Sequence, residues 1–176
     1  TRIQESAESG LEWVLKDATP ENLKKIDWLE PHFIDEKGDA TWSIHALVLE
    51  VGDRRIIVDT CVGNDKNLPM PLWNQLSGSF LTDLERAGFP RESIDTVLCT
   101  HLHVDHVGWN TIFEDGVWKP TFPNARYLVA REEWAHWQEQ DDAFTEAVFS
   151  ESVRPVEAAG LIDIVEKDAR ITDEIS

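Results

Sequence analysis

Short apolar runs alternate along the chain with stretches in which apolar residues have helical spacing, a pattern typical of an α/β protein. Residues 41–51 are rich in apolar and β-branched residues, and a second such run, residues 55–59, follows a Gly-Asp turn. These two runs predict a β-hairpin. Thr19 and Pro20 predict a helix start, because the hydroxyl can cap the first turn and proline is tolerated there.

The second half of the pattern continues the mixture of strands and helices. Residues 94–99 form an apolar run of strand length without polar alternation, which predicts a buried central strand. The helix before it is predicted from one apolar face, Leu76, Phe80, Leu81 and Leu84. Further elements are expected as a hairpin around Asp115 and Gly116, a strand at 125–130, two or three helices across 131–159 and a strand at 161–165. Without a repeat or a linker, residues 1–176 are predicted to form a single α/β domain.

The composition of the chain bears on its expected partners and on its cellular location. Acidic side chains outnumber basic ones, 34 to 16, giving a formal net charge of -18, and such a field repels nucleic acid phosphates and anionic lipids. Residues 1–10 carry no secretory signal pattern, and the apolar runs are too short to cross a bilayer. Two cysteines, Cys61 and Cys99, are too few for a disulfide framework. We therefore expect a cytoplasmic protein without nucleic acid or membrane partners, in which both cysteines are small buried residues.

Candidate chemistry is concentrated in residues 100–110, THLHVDHVGWN, directly after the predicted buried strand. Three of the six histidines lie within six residues there. Residues two apart in an extended backbone project to the same side, so His101 and His103 can reach one metal ion together. Asp105 and His106 are adjacent and need a bend in the backbone, which the nearby Gly108 permits. This spacing suits two neighbouring ions, with Asp105 and His106 at the second.

Imidazoles with a carboxylate are the ligand set of zinc, and Mn, Fe, Ni and Co are alternatives. A histidine-rich loop is often only solvated, but H-x-H-x-D-H directly after a buried strand strongly favours a metal site. His136 lies in a predicted helix without a glycine-rich turn, and His32 and His45 precede the motif. For these three we favour surface or packing roles.

The segment HLHVDH resembles the metal-binding signature of the metallo-β-lactamase superfamily, whose αββα fold is shared by class B lactamases, glyoxalase II and lactonases. A second segment, RIIVDTCVG, resembles the early strand of that family, which ends in an aspartate, here Asp59. The resemblance implies that Asp59 supports the metal-bearing loop from the second coordination shell.

For activity, the resemblance implies hydrolysis by a hydroxide activated at a dinuclear zinc centre. Asp105 would be both a ligand and the residue that positions the hydroxide. A small-molecule lactone, ester or related bond is the expected substrate, although the residues do not distinguish among lactone, ester, thioester, lactam and phosphoester.

The chain departs from the family pattern downstream of His106. Family members resemble one another in a third histidine, a bridging aspartate and a last histidine, and no counterpart is recognised here. The sequence therefore predicts an incomplete αββα sandwich, truncated on its C-terminal side, with a homodimer or a missing C-terminal half completing it. Two alternatives remain open. One is a catalytically inactive metal-binding or interaction fragment, and the other is a nuclease, which the acidic composition disfavours.

Overall fold

The computed structural model describes residues 1–175. Its strands are β1 (Arg2–Ser9), β2 (Thr41–Val51), β3 (Arg54–Val58), β4 (Thr96–Leu98), β5 (Thr111–Glu114), β6 (Val117–Pro120), β7 (Arg126–Ala130) and β8 (Ile162–Val165). Its helices are α1 (Pro20–Leu23), α2 (Phe80–Arg86), α3 (Val104–Val107), α4 (Arg131–Gln138), α5 (Ala143–Ser152) and α6 (Arg154–Ala158), with short 3₁₀ turns at Asp27–Leu29, Arg91–Ser93 and Gly108–Asn110.

Six of the strands form one mixed sheet in the order β1-β2-β3-β4-β7-β8, and β5 pairs with β6 in a separate two-stranded sheet. Strands β2 and β3 are antiparallel, whereas β3-β4, β4-β7 and β7-β8 are parallel. Both predicted hairpins and the buried central position of β4 are confirmed. Strand β1 was not predicted, because its sequence RIQESAES buries only Ile3.

The core lies on both faces of the central strands. Consecutive residues of a strand point to opposite faces, and Ile56 and Ile57 of β3 are 1% and 0% exposed. Val97 of β4 is fully buried as well. Parallel strands covered on both faces are the arrangement that near-continuous apolar runs predict.

The helix predictions are confirmed in type, with shifted bounds. Thr19 caps α1, its hydroxyl accepting from the backbone N–H of Asn22 at 3.3 Å. Helix α2 begins at Phe80 rather than at Leu76, because the Leu76 carbonyl accepts instead from Asp65 N in a loop contact of 3.0 Å. A local pairing of backbone groups therefore overrides the helical spacing of apolar residues at this point.

The chain divides into two compact units, one of residues 6–44 and one of residues 1–5 with residue 45 onward. In the smaller unit, Gly10 N donates to Ala40 O at 3.0 Å, and the rings of Trp13 and Trp42 lie 5.9 Å apart. The larger unit contains every residue of the predicted metal site. Whether the chain behaves as one folding domain stays a prediction.

Candidate metal centre

The histidine motif lies at the carboxyl ends of two neighbouring parallel strands. Asp59 directly follows β3 and His101 follows β4 by three residues. The backbone N–H of Asp59 donates to Leu98 O at 2.9 Å, which extends the ladder between the strands to the edge of the site. Ligand sites of open α/β sheets are found at such edges.

The backbone bends at the motif as a helical turn. His103 is extended, with φ −66° and ψ 157°, and α3 begins at Val104. The turn carries Asp105 and His106 back toward the strand end, so the bend required by the sequence is confirmed. Gly108 has φ −60°, which any residue can adopt. The bend therefore does not depend on the conformational freedom of that glycine.

Gly108 is needed instead for a close contact between two loops. Thr60 N donates to His106 O at 2.7 Å, Gly108 N donates to Cys61 O at 2.7 Å, and Trp109 N donates to Thr60 O at 2.8 Å. A Cβ atom on Gly108 would lie 1.7 Å from the carbonyl oxygen of Val62. Only glycine fits here, and the three backbone hydrogen bonds hold the histidine-bearing loop against the loop after β3.

Three imidazole rings converge at this position. The ring centroids of His101 and His103 are 4.6 Å apart, and those of His101 and His106 are 3.9 Å apart. Burial, together with the charges of His106 and His103, lowers the pKa of His101. A lowered pKa favours the neutral imidazole, which is the form that binds metal ions. The structure thus brings all three predicted histidine ligands into one cluster.

Asp59 lies behind this cluster and contacts both sides of it. Its Oδ1 accepts from Thr100 N at 2.8 Å, and its Oδ2 lies 2.8 Å from His106 Nδ1. Asp105 Oδ2 lies 3.4 Å from the other ring nitrogen, Nε2. An Nδ1–H donated to Asp59 places Nε2 on the side of Asp105, where this nitrogen binds a metal ion only after it releases its own proton. These contacts fit the supporting role expected for Asp59.

Asp59 and Asp105 also influence the protonation of His106. Burial lowers the pKa of His106, but hydrogen bonds and charges from Asp105 and Asp59 outweigh burial and raise it to about 9. Burial raises the pKa of Asp105, yet the hydrogen bond and charge of His106 leave it below its ordinary value. Asp105 is therefore an anionic oxygen donor beside the imidazoles.

Two supporting carboxylates were not found from the sequence. Glu5 of β1 accepts from Val62 N at 2.8 Å, from Gly63 N at 3.0 Å and from the indole of Trp109 at 2.7 Å. Glu133 of α4 accepts from the backbone N–H of Leu102. The backbone groups that these two glutamates bind are distant from them in sequence, so no local pattern could have revealed the contacts.

The remaining candidates lie outside the cluster. His136 is exposed on α4, His32 is exposed, and His45 is half-buried on β2. Cys61 and Cys99 are buried free thiols, and burial raises the pKa of each, for Cys99 to about 12. A thiol with a raised pKa is a poor nucleophile, so the prediction of two small buried residues is confirmed.

The loop after Asp59 carries four apolar residues that could either line a pocket or pack inside the protein, namely Leu68, Met70, Leu72 and Trp73. Leu68 and Trp73 are 7% and 6% exposed, whereas Leu72 is 48% exposed. Because Leu68 and Trp73 are buried, we assign them to packing inside the protein.

The donors fit a metal such as zinc in chemical type, since imidazole nitrogen and carboxylate oxygen are its ligands. What the described residues lack is an arrangement that brings three of these donors to one ion. Within residues 1–175 no group of three His, Cys, Asp or Glu side chains is arranged to hold a metal ion, whereas catalytic zinc takes about three protein ligands. The described part of the chain thus supplies a partial ligand set.

Solved structures of two hydrolases superimpose on nearly the whole chain. A hydrolase designated AbOPH, of the β-lactamase superfamily, has a TM-score of 0.70 at 21% identity over 97% of this chain and 58% of its own. A probable metal-dependent hydrolase from Staphylococcus aureus has a TM-score of 0.70 at 17% identity over 98% of this chain and 60% of its own.

A third structure is that of AidC, described as a dizinc quorum-quenching lactonase. It has a TM-score of 0.66 at 19% identity over 97% of this chain and 58% of its own. This chain thus spans about three fifths of the length of these proteins. At such identities the likeness shows the fold. No curated protein sequence matches the chain.

Family membership follows from the sequence profile and the fold together. Residues 40–175, which include strands β2 to β8, the histidine cluster and Asp59, match the profile of the metallo-beta-lactamase superfamily. The superimposed structures confirm the predicted α/β architecture. No helix within residues 1–175 is long and apolar enough to cross a membrane. The chain belongs to the metallo-β-lactamase superfamily.

Proposed function

We propose that this chain carries the first part of the active site of a metal-dependent hydrolase. The observation that supports the proposal is the cluster of three imidazoles with Asp105, held at the ends of β3 and β4. His101 and His103 would bind one zinc ion, and Asp105 and His106 a second. Zinc supplies an activated hydroxide near neutral pH and polarises the bond that is cleaved.

The residues of this chain have distinct tasks in that scheme. His101, with its lowered pKa, is available as a neutral nitrogen donor. Asp59 accepts from His106 Nδ1 and so directs Nε2 into the site. Asp105 provides an anionic oxygen beside that nitrogen, which is suited to holding and orienting a hydroxide.

A small molecule with a lactone or ester bond is the substrate class we propose. The dizinc lactonase among the superimposed structures supports this class. The net charge of -18 also supports a neutral substrate over a polyanion, because a strongly acidic surface repels phosphate-rich partners. A homodimer or a further segment of chain would complete the ligand set.

The first experiment is metal analysis of the purified chain and of a His101→Ala/His103→Ala double variant. We expect about one zinc ion or more per wild-type chain and a loss of most of it in the double variant, because two imidazoles of the cluster are removed. His136→Ala is the matched control, since His136 is exposed on α4 outside the cluster. Equal zinc in wild type and double variant would refute the proposed site.

A non-catalytic metal-binding module is the second candidate, and the partial ligand set favours it. The two candidates differ in turnover. A zinc-loaded wild-type chain that hydrolyses lactones or esters, with an Asp105→Ala variant that does not, supports the hydrolase. Stoichiometric zinc without turnover over a broad lactone and ester panel supports the binding module.

A further inference from the structure

A carboxylate on α4 contacts the backbone of the metal-binding loop between two of its histidines. Glu133 Oε1 accepts from Leu102 N at 2.7 Å, and Leu102 separates His101 from His103. Leu102 is 1% exposed, so the loop is anchored in the protein interior at this one residue, between two histidines that are more accessible. An N–H at such a position needs a partner within the protein, and the ionised carboxylate is a strong one.

The same carboxylate oxygen also holds an aromatic ring against the cluster. Trp137, one helical turn after Glu133, donates its indole N–H to Glu133 Oε1 at 2.5 Å. The indole ring contacts His103 in an edge-to-face arrangement, with centroids 5.3 Å apart and an interplanar angle of 82°. Phe149 of α5 lies 5.9 Å from the same indole. The ring of His103 therefore rests on a tryptophan that is itself fixed at two points.

The topology of the sheet explains why residues of α4 reach the histidine loop. Strand β7 is the parallel neighbour of β4, and α4 begins at Arg131, directly after β7 ends at Ala130. The first turn of α4 therefore starts at the same edge of the sheet as the loop that follows β4. Residues four apart lie on one face of a helix, which lets Glu133 and Trp137 act together.

We propose that Glu133 is a positioning residue that presets the spacing of His101 and His103 for a metal ion. It acts through two hydrogen bonds, one to the loop backbone and one to the indole that supports His103. The part of the proposal that concerns metal affinity rests on the proposed function above. The part that concerns loop order does not, because it applies to the metal-free chain.

The test compares four versions of the full 176-residue chain: wild type, Glu133→Ala, Glu133→Gln and Glu132→Ala. Glu132 is exposed on the same turn of α4 and is the matched control. Amide hydrogen exchange at Leu102 is measured without metal, with the amide of Val97 in β4 as an internal reference for global unfolding. Zinc affinity is measured by calorimetry on the same samples.

For Glu133→Ala we expect exchange at Leu102 to accelerate about 10-fold or more relative to Val97, since a charge-assisted hydrogen bond is lost. Zinc binding should weaken by about 10-fold or more, as when other supporting partners of ligands are removed. Glu133→Gln retains a carbonyl acceptor and should stay within about threefold of wild type in both measurements. Glu132→Ala should resemble wild type.

Two results would overturn the proposal. One is unchanged exchange at Leu102 in Glu133→Ala. The other is zinc binding that is as weak in Glu133→Gln as in Glu133→Ala while Leu102 keeps its protection, which would assign the effect to charge alone. If the wild type binds no zinc but Leu102 still loses protection in Glu133→Ala, loop positioning stands and the proposed function fails.

Discussion

At the scale of single residues, the site depends on side chains with several partners each. Asp59 adopts a left-handed backbone conformation, with φ 56°, which aspartate tolerates better than most residues. From there it accepts from both the backbone N–H and the hydroxyl of Thr100 and contacts His106. One carboxylate thus links the ends of β3 and β4 to the orientation of a proposed ligand.

Asp59→Asn should weaken zinc binding through the tautomer of His106. Thr100 N–H requires an oxygen, so the Asn amide nitrogen would face His106 Nδ1 and donate to it. The imidazole proton then moves to Nε2, which can no longer bind metal. We expect about 10- to 100-fold weaker zinc binding and ¹⁵N shifts of His106 that show the changed tautomer. Asp53→Asn, in the exposed turn after β2, is the control; equal affinities of the two variants would contradict the prediction.

Gly108→Ala should be among the most damaging single changes in the chain. Its Cβ would meet the backbone of Val62 rather than a movable side chain, at 1.7 Å from the oxygen. We expect a loss of at least about 3 kcal/mol in the free energy of unfolding, measured with urea, because two loops must separate.

The control for that measurement is Gly116→Ala, at φ 81° in open space. It carries only the backbone cost of about 1–2 kcal/mol. Similar losses for the two variants would show that the contact between the loops yields easily.

At the scale of elements, the loop after β3 is fixed by a buried lysine. Lys66 is 1% exposed, and its Nζ donates to Thr111 Oγ1 at 2.6 Å and to Glu151 O at 3.1 Å while lying 3.6 Å from the centroid of the Trp118 ring. It therefore connects the loop to β5, β6 and α5. Glu5 connects β1 to the same loop through the amides of Val62 and Gly63.

Lys66 makes stability depend on pH. Burial lowers its pKa to about 7, although the charges of Glu151 and Asp65 oppose that shift. Below pH 7 the folded protein bears the full cost of a buried ammonium group. Between the folded pKa and the ordinary value near 10.4, the unfolded chain binds more protons than the folded one, so stability contributed by this group rises with pH.

The measurement is urea unfolding of wild type and Lys66→Met at pH 7 and pH 9. Wild type should gain up to about 2 kcal/mol relative to Lys66→Met over this range, with Lys37→Met, an exposed lysine, as the control. A difference between wild type and Lys66→Met that stays constant with pH would show that Lys66 keeps an ordinary pKa.

At the scale of the whole molecule, we expect the net charge to disfavour polyanionic partners. The formal net charge of -18 repels polyanions, and this repulsion decreases as salt shortens its range. The residues at the histidine cluster add further carboxylates, among them Glu5, Asp59 and Glu133. A nuclease of this superfamily would need a basic surface for its substrate.

We expect no binding of single-stranded or double-stranded RNA or DNA by the chain at about 50 mM salt, where phosphate contacts are strongest. Fluorescence anisotropy of labelled oligonucleotides, with and without added zinc, is the measurement. Salt-sensitive binding with zinc present would revive the nuclease alternative.

The sequence by itself determined the class of fold, most elements and the proposed ligands. Residues 94–99 predicted a buried strand because both faces of a covered parallel sheet must be apolar. H-x-H-x-D-H predicted a metal site because its donors are close in sequence, so local geometry constrains them. The predicted hairpins followed from turns that use glycine.

Only the tertiary structure decided how that motif is supported. Glu5 contacts Val62 from 57 residues away, and Glu133 contacts Leu102 from 31 residues away. Such pairs depend on the order of strands in the sheet, which brings β1 and α4 to the histidine loop. Periodicity reports on neighbours along the chain and on burial, whereas a long-range hydrogen bond requires a fold to place its donor and acceptor together.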